Sequence, residues 1–238
     1  MYLDQFTGKG IRIAVIDSGV HATHPHVGGV ATGFAIREDG SIGSDYVDRL
    51  GHGTAVTAAI KEKAPDADVI AIKVFERALT TDVATLVRAI DEAIRHGAHV
   101  INLSLGTAET HHRDELGAAV ARANDRGAVI VSALEDHDVR WLPGSLNGVV
   151  PVQLDWACDR DAYRLVHAGG RAILAASGYP RDIPGVPRER NLKGISFAVA
   201  NASGFAARAC ESLGATSRAS VASILGTLEA AAADQTPG

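Results

Sequence analysis

The sequence predicts an α/β protein of three layers, a mostly parallel sheet with helices on both faces. Two observations carry this: short β-branched runs alternate with longer stretches of helical spacing, and most of those runs are apolar at every position, which leaves neither sheet face to solvent. A third is size. At 238 residues, 46% hydrophobic and 21% charged, the chain suits one sizeable domain with a real core, read as spanning 1–238.

In chain order, strands are expected at 11–16, 69–74, 100–103, 129–132, 149–153 and 172–175. Between them, 82–96 sets Val83, Leu86, Val87, Ile90 and Ile94 at helical spacing, with Thr81 or Asp82 as N-cap and Gly97 as the stop. The stretch 113–124, stopped near Gly127, repeats that design. A third helix is expected from about 196 to 213 and a fourth over 220–231, and the patternless tail 233–238 is expected to fray. No repeat or linker divides the chain.

Composition excludes several classes. The net charge of −5 argues against a nucleic-acid partner. The two cysteines, Cys158 and Cys210, cannot form a disulfide framework or a zinc finger, and buried free thiols are expected. No run reaches the roughly 18 apolar residues of a membrane span. The first residues lack a signal-peptide core, so a cytoplasmic protein is expected, with no membrane partner.

Three segments put chemically useful residues where apolar elements end. A buried strand runs straight into Asp17, at the carboxyl end where parallel sheets gather ligands; the same residue could simply cap a turn. His52 lies between Gly51 and Gly53, and small neighbours leave an imidazole open to one side, as a general base requires. Ser196 follows Gly194-Ile195 at a helix N-terminus, where backbone N–H groups stabilise an oxyanion; a plain N-cap is the alternative.

In the order Asp, His, Ser, these segments resemble the subtilisin-like serine proteases, the subtilases, whose catalytic residues follow one another in that chain order. The matching runs are Ile13-Ala-Val-Ile-Asp17-Ser-Gly19-Val20 with His24-Pro25, then Gly51-His52-Gly53-Thr54, Ala64-Pro65-Asp66-Ala67, Ile101-Asn102-Leu103-Ser104-Leu105-Gly106 and Gly194-Ile195-Ser196. The resemblance implies a subtilisin-like fold and a serine endopeptidase needing no cofactor. Ser196 would be the nucleophile, His52 the general base and then acid, and Asp17 the group that orients the imidazole. It further implies that Ser104, Leu105 and Gly106, with Ala133 and Glu135, bind a peptide or protein substrate as an extended strand.

The pattern departs from the family in several places. Where the family ends a strand in Ala-Ala-Gly-Asn, this chain has Ser132-Ala133-Leu134-Glu135-Asp136, which puts Asp136, or Glu135 after a one-residue deletion, at the oxyanion hole beside Ser196. A carboxyl group donates there only when it carries a proton, and losing such a donor typically costs about 10²- to 10³-fold. Around the nucleophile, Ile195, Phe197, Ala200 and Asn201 stand where the family usually has Thr, Met, Pro and His; after the histidine, Ala55, Thr57 and Ala58 replace His, Ala and Gly. Only Lys61-Glu62-Lys63 separates the histidine helix from Ala64-Pro65, leaving no room for a calcium loop. Asp45 with Asp48 and the Glu135–Asp138 cluster lack calcium spacing. His21, His24 and His26, and His111 with His112, are read as solvated loop histidines, so no metal is expected. No propeptide precedes the first block, which suggests processing of a dedicated peptide or protein precursor. Glu135, Asp136 and Asp138 suggest a Lys or Arg before the scissile bond. A catalytically impaired peptide-binding scaffold and a triad esterase or acyltransferase remain the alternatives.

Overall fold

Sheet order, more than element count, decides what this chain brings together. The computed structural model describes residues 3–214 and 219–233. The chain runs β1 (Arg12–Asp17), β2 (Thr32–Ile36), β3 (Ile42–Gly43), α1 (His52–Lys63), β4 (Asp68–Lys73), α2 (Val83–Arg95), β5 (Val100–Leu103), α3 (Arg113–Asp125) and β6 (Val129–Ala133). It continues through β7 (Glu135–Asp136), β8 (Val139–Arg140), β9 (Val149–Leu154), β10 (Tyr163–Ala168), β11 (Arg171–Ala176), α4 (Ile195–Ser212) and α5 (Val221–Ala233). Nine strands form one sheet in the order β10-β11-β9-β6-β5-β1-β4-β2-β3. From β11 to β2 every neighbour pair is parallel, and only β10 and β3 run antiparallel, at the two edges.

Strand periodicity of two sorts each side chain to one face. Ile13 and Val15 of β1 join a core with α1, α4 and α5 through Val56, Ile60, Phe205, Ile224 and Leu228. Ala14 and Ile16 face the opposite way, into a core with α2 and α3 through Leu86, Ile90, Leu116 and Val120. The result is three layers. Asp82 caps α2 by accepting from the Thr85 N–H at 2.6 Å, and Gly97 ends the turn after it at a φ of 71°. Gly204 lets α4 lie directly against α1, because a Cβ there would strike the Lys63 side chain.

The six expected strands and the helices of 82–96, 113–124, 196–213 and 220–231 are present within one or two residues at most ends. Of the tail, Ala233 closes α5 and 234–238 lie outside the described residues. Cys158 and Cys210 are free and buried, as expected. No helix among the described residues is long and apolar enough to cross a membrane.

Candidate active site

All strands from β1 to β6 that build the centre of the sheet end on the same side, and the candidate residues sit there. Asp17 is the last residue of β1 and its side chain is only 1% exposed. His52 opens α1 after Gly51, whose φ of 83° makes the turn into the helix. The imidazole Nδ1 lies 2.8 Å from Asp17 Oδ1 and 3.0 Å from Oδ2. Gly53 permits this approach, since a Cβ on it would meet the Gly19 carbonyl oxygen and Asp17 Cβ.

A second carboxylate holds this arrangement from behind. Asp48, 9% exposed, accepts at Oδ1 from Ser18 Oγ (2.9 Å), Leu50 N (2.9 Å) and Gly51 N (2.8 Å), and at Oδ2 from Thr54 N (2.8 Å) and Thr54 Oγ1 (2.6 Å). Ser18 Oγ in turn accepts from the Gly53 N–H at 2.9 Å, so one hydroxyl joins the end of β1 to the residue after His52. Burial works against a charged imidazole, but the Asp17 hydrogen bond and charge, helped by Asp48, outweigh it and raise the His52 pKa above its ordinary value.

Ser196 is the second residue of α4, behind Gly194 at a φ of 142°. Its N–H lies in the first turn, where helices leave backbone donors without intrahelical partners. Its Oγ donates to the Ser104 carbonyl at 3.3 Å, and Ser104 Oγ donates to the Ser196 carbonyl at 3.1 Å. Behind Ser104, Asn102 Nδ2 donates to Ser104 Oγ at 3.0 Å while its Oδ1 accepts from Ser203 Oγ, also at 3.0 Å. This chain of bonds ties the end of β5 to α4.

His52 and Ser196 line one cavity of about 250 Å³ together with Ser104, Leu105, Gly106 and Ala133. The remaining wall is apolar: Phe75, Leu79, Trp141, Ile195 and Val199. No hydrogen bond joins His52 to Ser196; the serine hydroxyl is turned to Ser104 instead.

The family model described as Subtilase family matches residues 8–147, well over half of the chain. The chain belongs to the subtilase family. Among curated relatives of this subtilase, a thermostable alkaline protease of Halalkalibacterium halodurans is 32% identical over 221 residues, covering 84% of this chain and 56% of the relative. Thermitase of Thermoactinomyces vulgaris is 32% identical over 143 residues, covering 53% and 47%. The crystal structure of a cold adapted subtilisin-like serine proteinase superposes with a TM-score of 0.70 at 20% identity, covering 93% of this chain and 81% of that one, and so supports the three-layer subtilisin-like fold. The chain spans only about half the length of the alkaline protease and thermitase.

Two expected site residues stand apart from the cavity. Glu135 and Asp136 form β7, which pairs with β8 across a turn at His137 and Asp138, and neither belongs to the cavity wall. Asp136 makes no hydrogen bond to His52 or Ser196; its ionic neighbour is His137 Nε2 at 3.9 Å. The wall carries no carboxylate, so the charge argument for Lys or Arg before the scissile bond has no basis in the geometry. The sequence reading missed Asp48, Ser18 and Asn102. An acid three residues before a turn glycine is an Asx-turn signal, and an amide inside the apolar run 100–103 marks a buried polar contact; both were available.

Proposed function

We propose that this subtilase is a serine endopeptidase acting through an acyl-enzyme, with Ser196 as nucleophile, His52 as base and then acid, and Asp17 as the orienting carboxylate. The observation that carries this is the Asp17–His52 hydrogen bond at the rim of the cavity that Ser196 also lines. A serine hydroxyl is too weakly acidic to attack an amide unaided. On substrate binding, Ser196 Oγ leaves the Ser104 carbonyl, a rotation about one side-chain torsion, and passes its proton to His52 Nε2 as it adds to the scissile carbonyl. Nδ1–H stays on Asp17, which fixes the tautomer and stabilises the imidazolium. The oxyanion meets the Ser196 N–H at the positive end of α4. His52 then protonates the leaving amine, and water attacks the ester in the reverse sense.

The substrate lies as an added strand along Ser104–Gly106, with Ala133 at the base of the cavity. Its walls of Leu105, Trp141, Ile195 and Val199 suit an apolar side chain before the scissile bond. Asp136 at the second oxyanion position and Glu135 beside the substrate rest on the resemblance of the run Ser132–Asp136 to the family's strand end, both residues lying next to the cavity wall in sequence but outside it. We further assign a dedicated peptide or protein precursor as the physiological substrate and the cytoplasm as the place of action. A cavity sized for one side chain favours selectivity, and two free thiols suit a reducing compartment.

The test is labelling with a fluorophosphonate probe, beside a peptide-library digest across pH 5 to 9. Wild type labels and Ser196→Ala does not, and cleavage follows apolar residues. Absence of labelling at every pH would favour the peptide-binding scaffold; labelling without peptide cleavage would favour an esterase.

A further inference from the structure

The loop between β5 and α3 gathers two imidazoles and a carboxylate that the proteolytic reading leaves unused. Glu109 Oε2 lies 3.4 Å from His111 Nε2 and 3.9 Å from His112 Nε2. Among the described residues this is the one trio of His, Cys, Asp or Glu whose ligand atoms all fall within 4.8 Å of one another. The three histidines at 21, 24 and 26, also close together in the sequence, form no such group.

The backbone builds this convergence. Thr107 Oγ1 accepts from the Glu109 N–H at 3.1 Å, and a 3-10 turn over Thr110–His112 follows, with the His112 N–H donating to the Glu109 carbonyl at 3.2 Å. The turn brings the two imidazoles together, with centroids 4.0 Å apart and ring planes tilted by 40°. On the far side, His112 Nδ1 lies 3.5 Å from Glu115 Oε2, on the first turn of α3. A carboxylate at that distance favours the tautomer with the proton on Nδ1, which would leave the Nε2 lone pair 3.9 Å from Glu109 Oε2. This is the arrangement in which an outer carboxylate orients a metal-bound histidine.

With the imidazoles neutral, lone pairs of Nε2 and of the Glu109 carboxylate face one another, and a cation between them would convert that repulsion into attraction. Ion pairing alone explains little, because Glu109 and His111 are each 67% exposed at the side chain and such pairs are worth almost nothing. Zinc takes nitrogen at about 2.0–2.1 Å and carboxylate oxygen at about 2.0–2.2 Å, so tetrahedral ligand atoms stand roughly 3.4 Å apart. The Glu109–His111 separation already has that value, the Glu109–His112 separation closes with a movement of about half an ångström, and the two imidazole ligand atoms lie within 4.8 Å of each other, differences that exposed side chains take up by small torsional changes.

We propose that Glu109, His111 and His112 bind one divalent transition-metal ion of the zinc type, with Glu115 orienting His112 and the fourth position left to water. Two imidazoles and a carboxylate suit zinc over calcium or magnesium, which take all-oxygen shells. The site is separate from the catalytic residues and does not depend on their assignment. It begins three residues beyond Gly106, on the flank of the proposed substrate edge.

The test uses the metal alone. Zinc chloride is titrated calorimetrically into the purified full chain, and cobalt(II) is added separately to read its visible spectrum. Wild type binds one ion saturably, His111→Ala and His112→Ala each weaken binding at least tenfold, and Glu115→Gln weakens it by about 10- to 100-fold. Cobalt gives bands of nitrogen and oxygen ligation without thiolate charge transfer. All four residues are at the surface or half-buried, and unchanged thermal unfolding of the metal-free variants verifies that they fold. No saturable binding, binding that survives the His111→Ala/His112→Ala double substitution, or a thiolate band pointing to Cys158 or Cys210 would each overturn the proposal.

Discussion

Replacing Asp48 by Asn isolates what a buried carboxylate does for a histidine it does not touch. A carboxamide oxygen in the place of Oδ1 keeps the bonds from Ser18 Oγ, Leu50 N and Gly51 N, while the new NH2 faces Thr54 N–H and Oγ1. The Thr54 hydroxyl can turn to accept; its N–H cannot. One buried donor left without a partner costs about 1–3 kcal/mol; Asp48→Ala, which removes the acceptor of all five donors, costs more than Asp48→Asn by a similar amount for each further donor that water does not reach. The lost charge acts separately. Asp48 helps to raise the His52 pKa, and if His52 is the base proposed above it must be neutral to work, so the acid limb of the wild-type profile should lie above the ordinary imidazole value of about 6.5 and move to lower pH in Asp48→Asn. The Asp48 pKa is itself lowered: burial opposes this, but the hydrogen bonds from Thr54, Gly51 and Ser18 prevail. Its ionised form therefore stabilises the fold above the unfolded carboxyl range near pH 4 and ceases to do so as pH falls through the folded pKa. The stability gap between wild type and Asp48→Asn should accordingly close in acid. The assays are kcat/KM against pH on a peptide substrate, the pH dependence of fluorophosphonate labelling, and urea denaturation at pH 7 and pH 3. An acid limb that stays put or moves upward would refute the electrostatic coupling. A denaturation midpoint equal to wild type at pH 7 would refute the hydrogen-bond account.

Three further outcomes follow from the geometry. Asp136→Asn gives β7 a side-chain donor that a carboxylate lacks; if that position serves the oxyanion, kcat rises by up to about 10²-fold with KM little changed, and an unchanged kcat in steady-state assays removes Asp136 from the site. Glu211 Oε2 accepts from the N–H groups of Thr7, Gly8 and Lys9 at 2.8, 2.6 and 3.0 Å, pinning the N-terminal segment to α4. Glu211→Ala should cost about 2–3 kcal/mol and lower Tm by roughly 5–10 °C in calorimetry, with the labelling rate at Ser196 preserved. Gly53→Ala forces α1 away from the end of β1, because its Cβ meets the Gly19 carbonyl oxygen; kcat should fall far more than overall stability, which loses about 1–3 kcal/mol, and parallel activity and unfolding measurements separate the two.

What the sequence made legible is governed by burial. Strands covered on both faces write themselves as unbroken apolar runs, so β1, β4, β5, β6 and β9 were readable within a residue or two. The edge strand β10 was not, because Tyr163–Ala168 is largely exposed and Arg164 and His167 break its apolar run. Its hairpin with β11 was nevertheless announced by Gly169-Gly170, both at positive φ, a turn chemistry that should have raised the reading. The β7–β8 hairpin had no such warning: its turn uses His137 and Asp138 at φ of 47° and 63°, conformations that non-glycine residues adopt rarely. Glu135 and Asp136 belong to that hairpin and not to the cavity wall, and counting residues from Gly127 could not reveal it.

The same contrast explains why the three residues of the proposed triad were easier to find than their supports. Asp17, His52 and Ser196 each sit at a junction between an apolar run and small residues, where a polar side chain is conspicuous. Asp48 lies in a loop as one acid among several, and its importance comes from five donors supplied by Ser18 after β1, by Leu50 and Gly51 of its own turn, and by Thr54 of α1. Sequence spacing displays what a residue is next to along the chain. It does not display convergence, and both Asp48 and the Glu109–His111–His112 trio are convergent: the first gathers amides around a carboxylate, the second gathers lone pairs around an empty point. In the first case the protein itself supplies the positive partners, which makes the group structural. In the second it supplies only donors of electron pairs, and the physical consequence is a place for a cation.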